Sequence, residues 1–151
     1  MTGDDIARTV LDTNSFMTLA TADGSGTPWA CPVWFATDDY HELYWVSAPT
    51  SRHSRNLEVR PEVSIVVFDS TVTPSATQAV YVTGTAGLVP AADIERGMAV
   101  YSRKTVRNGL GEWGPDRVTG DARLRLYRAT AAEHYILDPD APVDARLEVR
   151  P

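Results

Sequence analysis

Short segments of alternating or β-branched residues, separated by turn residues at hairpin spacing, dominate this chain. One segment covers residues 15–21 and a second covers 28–35, with Asp23-Gly24 in the turn between them. Asp-Gly is a strong hairpin signal. Further segments of this kind lie at residues 43–47, 63–68, 78–89, 123–128, 133–137 and 146–149. Strands at this spacing predict a small closed or partly closed antiparallel barrel.

Helical patterns occupy three places between these segments. Apolar residues recur at helical spacing near residues 4–13, 52–59 and 91–102, and prolines stand where the second ends and the third begins. We therefore expect a mainly β (α+β) fold with two or three short flanking helices. Pro32 lies inside the second predicted strand and would cost a ladder hydrogen bond, which indicates a sheet edge or a bulge there.

Length and composition restrict the function classes. The 151 residues fit one domain, residues 1–151, that buries about 70% of its unfolded surface. The net charge of −6 argues against a general binder of nucleic acid or anionic membranes. One cysteine and no apolar leader fit a cytoplasmic protein. The three histidines are far apart in sequence, so we expect no metal site.

The stretch at residues 47–61, SAPTSRHSRNLEVRP, is the best candidate for chemistry. It combines a strand end, a short turn and a helix start, and Ser51 is a suitable N-cap. The free N–H groups of a first helical turn attract anions, and Arg52 and His53 would add donors and charge. Two interpretations remain open on the residues alone: a phosphate site, or a capped surface helix with solvated arginines.

This stretch is one part of an ordered set of motifs. The pattern PhexxLAT-x-DGxGxPxxxPVWF spans residues 16–35, Arg60-Pro61 is followed by a β-branched strand at 63–67, and Gln78-Ala79-Val80-Tyr81 comes after it. Together these motifs resemble the pyridoxamine 5′-phosphate oxidase-like proteins, the FMN-binding split barrels. The resemblance covers roughly residues 4–89.

The resemblance implies a split barrel that forms homodimers, with FMN bound in clefts between the subunits. It places the second strand along the flavin ring, the end of the third strand at ring and phosphate, and the turn after it on the phosphate. A further family glutamine touches the ring. The residues that match these positions are Pro32, Val33, Trp34, Val46, Ser47, Ser51, Arg52, His53 and Gln78. No residue matches an evident catalytic acid or base.

Three departures from the oxidase pattern limit the expected activity. His53 replaces the usual lysine, Cys31 and Ala36 stand where oxidases have an arginine and a lysine, and the C-terminal oxidase signature is absent. We therefore do not expect a vitamin B6 oxidase. The expected function is FMN-dependent hydride transfer to or from an unidentified small molecule. The alternatives are a reductase that uses the deazaflavin coenzyme F-420, or a non-catalytic flavin or small-ligand binding module.

Overall fold

The computed structural model describes residues 1–151 and contains one curled, seven-stranded antiparallel sheet. The strand order is β2-β1-β4-β5-β6-β3, and β7 pairs with β6. A bridge between Ala36 and Tyr44 joins the chain just beyond β2 to β3, so the sheet curls towards closure. The predicted antiparallel split barrel is confirmed. The strands are β1 (Phe16–Ala22), β2 (Pro28–Trp34), β3 (Glu42–Ser47), β4 (Glu62–Phe68), β5 (Ala79–Leu88), β6 (Arg125–Leu137) and β7 (Arg146–Val149).

Three helices flank the sheet, as predicted: α1 (Gly3–Thr13), α2 (Arg52–Val59) and α3 (Ile94–Arg107). Thr2 caps α1 through a reciprocal capping box with Asp5. The third helix runs beyond the predicted end at residue 102, because Lys104 continues its buried face. None of the three helices is long and apolar enough to cross a membrane.

The core has two layers, separated by the sheet. Inward-facing residues of the strands, such as Leu19, Trp45 and Ile65, fill the barrel together with α1 and Leu57 of α2. Outward-facing residues of β3 and β6, such as Tyr44 and Leu126, pack under α3. This alternation follows from the pleat, which points successive side chains to opposite faces.

The last long strand differs from the prediction. Residues 123–128 and 133–137 were expected to form two strands, but β6 is continuous from Arg125 to Leu137. Its pairing with β5 shifts between Thr83 and Gly84 and leaves Ala132 without a partner, as in a β-bulge. The bulge changes the alternation in mid-strand, which is why the sequence resembles two segments.

Pro32 lies at a sheet edge, one of the two positions predicted for it. It lies in β2, which is an edge strand with β1 as its only hydrogen-bonded neighbour. A proline cannot donate to a ladder, so an edge accommodates it without an unpaired partner on the outer side.

Candidate cofactor site

The turn after β3 and the start of α2 form the centre of the candidate site. Ser51 has extended backbone angles, and its Oγ accepts a hydrogen bond from Ser54 N at 3.4 Å, so it is the N-cap that the sequence predicts. The helix ends at Val59, two residues before Pro61, which disfavours helical angles in the residue before it. Strand, turn and helix therefore follow the predicted order.

His53 is buried, with only 7% of its surface exposed. Its Nε2 lies 2.8 Å from Ser47 Oγ and 3.2 Å from Ser51 Oγ. Ser51 Oγ donates its own proton to Ser54 Oγ at 2.7 Å. The imidazole is thus engaged by two serine hydroxyls, and its tautomer decides which group donates in each contact.

This placement corrects the expected role of His53. The sequence suggested a partly charged ligand of the phosphate, but burial lowers the pKa of His53 and favours the neutral ring. The side chain is buried and contacts the hydroxyl groups of Ser47 and Ser51. The sequence carried a signal for this, because His53, Asn56 and Leu57 share one face of α2 at helical spacing.

Arg52 lies on the opposite, exposed side of the same helical turn. Its guanidinium carbon stands 4.3 Å from the centroid of the Trp29 ring in β2. No ion pair within 4 Å involves Arg52, although the pKa of Asp23, lowered first by a hydrogen bond from Ser25, is lowered further by the charge of Arg52. At the first two positions of α2 the N–H groups also lack intrahelical acceptors. The junction of β3 and α2 therefore carries hydroxyl, guanidinium and N–H donors.

Asn56 is a structural residue of this region. Its Nδ2 donates to Thr21 Oγ1 of β1 at 3.0 Å, and the contact is buried. The bond holds α2 against the barrel and fixes the direction of the helix start. Asn56 thus acts as a packing partner of the helix in this chain.

The predicted ring-binding residues of β2 and β3 divide between the two faces of the sheet. Val33 points into the barrel and is buried, so only its backbone can meet a ligand. Pro32 is exposed, and Trp34 and Val46 pack at the margin of the outer layer under α3. Trp34 meets Tyr101 edge to face at a centroid distance of 5.2 Å. Its ring is therefore held by α3.

Lys104, the only lysine of the chain, also fixes this end of β2. From α3, its Nζ donates to Phe35 O at 2.6 Å and to Asn14 O at 3.1 Å, and it lies 5.0 Å from the Trp34 ring centroid. Burial lowers the pKa of Lys104 to about 8. One side chain thereby joins the ends of α1 and β2 to α3.

The comparisons with known proteins agree with this arrangement. The family model described as pyridoxamine 5′-phosphate oxidase matches residues 4–138. The chain belongs to this family. No curated protein gives a significant match.

Solved structures of the pyridoxamine 5′-phosphate oxidase fold include proteins of varied description. A heme-binding protein from Mycobacterium smegmatis is 17% identical, with a TM-score of 0.76 over 98% of this chain and 58% of its own. The chain thus spans little more than half of that protein. The heme storage protein HutZ from Vibrio cholerae is 23% identical, with a TM-score of 0.65 over 87% of this chain and 91% of its own. An F420 reductase is also 23% identical, with a TM-score of 0.61 over 84% of this chain and 94% of its own.

Gln78 lies far from the Ser47 end of the candidate site, but only three residues before Tyr81, which is in register through Val66 and Thr18 with Pro32 of β2. The Nε2 of Gln78 donates to Leu137 O at 2.9 Å, at the last residue of β6. Ser47 pairs with Arg125 at the first residue of β6. A strand of that length spans about 40 Å at 3.3 Å per residue. Within one chain, β6 therefore separates Gln78 from the start of α2.

The larger cavities of the single chain lie away from the predicted residues. A cleft of about 580 Å³ lies between α1, the loop after β2 and α3, and is lined by residues such as Asp12 and Arg103. Another of about 400 Å³ lies beside His41 and the C-terminal residues. The helix start is thus an open surface in one chain, and not a closed pocket.

Proposed function

We propose that this chain is a flavin-dependent oxidoreductase that binds FMN through its phosphate at the start of α2. The observation that carries the proposal is the set of polar groups at the junction of β3 and α2. They are the hydroxyl of Ser47, the exposed guanidinium of Arg52 and the N–H groups of the first helical turn. All are positive or donor groups, which suits a phosphate.

The ring of FMN would lie against the outward residues at the ends of β2 and β3. Pro32 and Trp34 offer apolar surface, Val33 offers only its backbone, and Val46 borders the same outer layer. Bound FMN would supply the hydride chemistry, and the chain would supply binding and orientation. The Nε2 of His53 is buried and already engaged by two serine hydroxyls, so His53 is not proposed as a catalytic base.

We extend the proposal to a homodimer, because one chain leaves the site open and incomplete. Gln78 lies at the far end of β6, where a second copy could place it against the first copy's ligand. The outer face of β1 also carries partly exposed Thr18 and Ala20 and exposed Phe16 beside Pro32 of β2. A second subunit would cover this uncharged face and close the cleft.

Two alternatives share the same phosphate site. The deazaflavin coenzyme F-420 also carries a phosphate ester, so the donors at α2 would hold either molecule. A non-catalytic binding module for a flavin or small ligand is supported by His53, whose neutral ring supplies no charge where the family has a lysine. Weaker phosphate binding would follow from that loss.

Purification followed by mass spectrometry of any bound small molecule tests the proposal. Titrations of the apo protein with FMN, with riboflavin and with F-420 then separate the alternatives. Riboflavin has the same ring as FMN but no phosphate, so we expect FMN to bind at least about tenfold more tightly. Equal affinity for FMN and riboflavin, or binding of none of the three molecules, contradicts the proposed phosphate site, whereas binding of F-420 alone contradicts only the choice of FMN.

A further inference from the structure

Trp29 is an exposed tryptophan on the edge strand β2. It is 39% exposed, and it pairs in register with Thr21 of β1, the residue that Asn56 of α2 contacts. The guanidinium carbon of Arg52 lies over its ring, 4.3 Å from the ring centroid. The side-chain hydrogen bond between Asn56 of α2 and Thr21 of β1 therefore helps to bring this arginine and this indole together.

The contact leaves the hydrogen-bonding capacity of Arg52 intact. In a stacked pair the guanidinium presents its face to the indole, while its N–H groups point outward in the plane. Arg60, at the end of the same helix, shows the opposite situation. Its Nε and Nη2 donate to the carbonyls of Asp23 and Gly24 and are used within the chain. Arg52 has no such hydrogen-bond acceptor, and its guanidinium lies over the Trp29 ring.

We infer that Trp29 is a positioning residue, which holds the Arg52 guanidinium over the start of α2 in readiness for the phosphate of the cofactor. The inference rests on the proposed function and adds a residue to it. A free arginine side chain loses much rotational freedom when it binds an anion. A guanidinium already stacked on Trp29 loses less of it, so the indole contributes to phosphate affinity without touching the phosphate.

The test compares FMN with riboflavin in Trp29→Leu, Trp29→Phe and wild-type protein. We expect Trp29→Leu to weaken FMN about two- to fivefold and to leave riboflavin unchanged. Trp29→Phe keeps an aromatic face and should recover part of the loss. In an Arg52→Ala background, Trp29→Leu should have no further effect on FMN.

The outcomes separate this inference from the proposed function. A merely structural role of Trp29 would weaken FMN and riboflavin alike, and that result would overturn the inference. Unchanged FMN affinity in Trp29→Leu would overturn it too. If the wild-type protein itself binds FMN no better than riboflavin, the proposed phosphate site fails, and the role of Trp29 fails with it.

Discussion

At the residue scale, Arg52 and Arg117 offer a matched pair of substitutions. Both are exposed arginines stacked on a tryptophan, with Arg117 over Trp113 at 4.4 Å, but only Arg52 stands at the start of α2. A charge-assisted hydrogen bond contributes about 1.5–3 kcal/mol. We expect Arg52→Ala to weaken FMN roughly ten- to a hundredfold, and Arg117→Ala to leave it unchanged, in titrations followed by flavin fluorescence. Equal effects of the two substitutions would place the phosphate elsewhere.

The buried imidazole of His53 should make the fold sensitive to acid. Burial lowers the pKa of His53 in the folded chain, so on acidification the unfolded chain takes up its proton first. The free energy of unfolding should therefore fall as pH drops below about 6.5. Burial lowers the pKa of His134 in the same direction.

Urea titrations between neutral pH and mildly acidic pH test this. In His53→Gln the loss of stability on acidification should be smaller, because no proton binds there in either state. A slope that is unchanged in His53→Gln would mean that this ring does not resist protonation in the folded chain.

At the scale of elements, the bulge between β5 and β6 depends on Gly84. A Cβ at this position would lie 2.1 Å from the backbone oxygen of Thr130, whereas a Cβ at Gly87 in the same strand would meet nothing within 4 Å. Gly84→Ala must therefore push two paired strands apart, at a cost of about 1–3 kcal/mol. Gly87→Ala should change stability by less than about 0.5 kcal/mol. Thermal unfolding of the two variants measures the difference, and similar melting temperatures would contradict it.

The sequence predicted elements well where one local rule decided them. Strand alternation, the Ser51 cap and the Asp23-Gly24 turn are such cases, and all appear in the structure. The sequence did not predict the features that depend on contacts between residues distant in the chain. The bulge at Ala132 depends on pairing with β5, and the buried, neutral state of His53 depends on how α2 lies on the barrel. The stacking of Arg52 on Trp29 joins residues that no local pattern relates.

At the scale of the whole molecule, the uncovered face of the sheet argues for assembly. In register across three strands, Pro32 of β2 pairs with Thr18 of β1, and Thr18 pairs with Val66 of β4. No helix covers this row, and exposed Phe68 lies two residues beyond Val66 in β4. An uncharged row across these three strands suits contact with a second copy better than contact with water.

We therefore expect a homodimer with an interface above about 1,000 Å², and Thr18→Arg should dissociate it. An arginine in the middle of the interface would be buried without a partner, which is costly in a dimer and harmless on a free sheet face. Leu88→Arg is the control, because Leu88 is 56% exposed at the end of β5, away from this row. Light scattering at micromolar concentration should find the wild type and Leu88→Arg dimeric and Thr18→Arg monomeric, with FMN affinity lost only in the monomer. A monomeric wild type would contradict the dimer, and a dimeric Thr18→Arg would place its interface on another face.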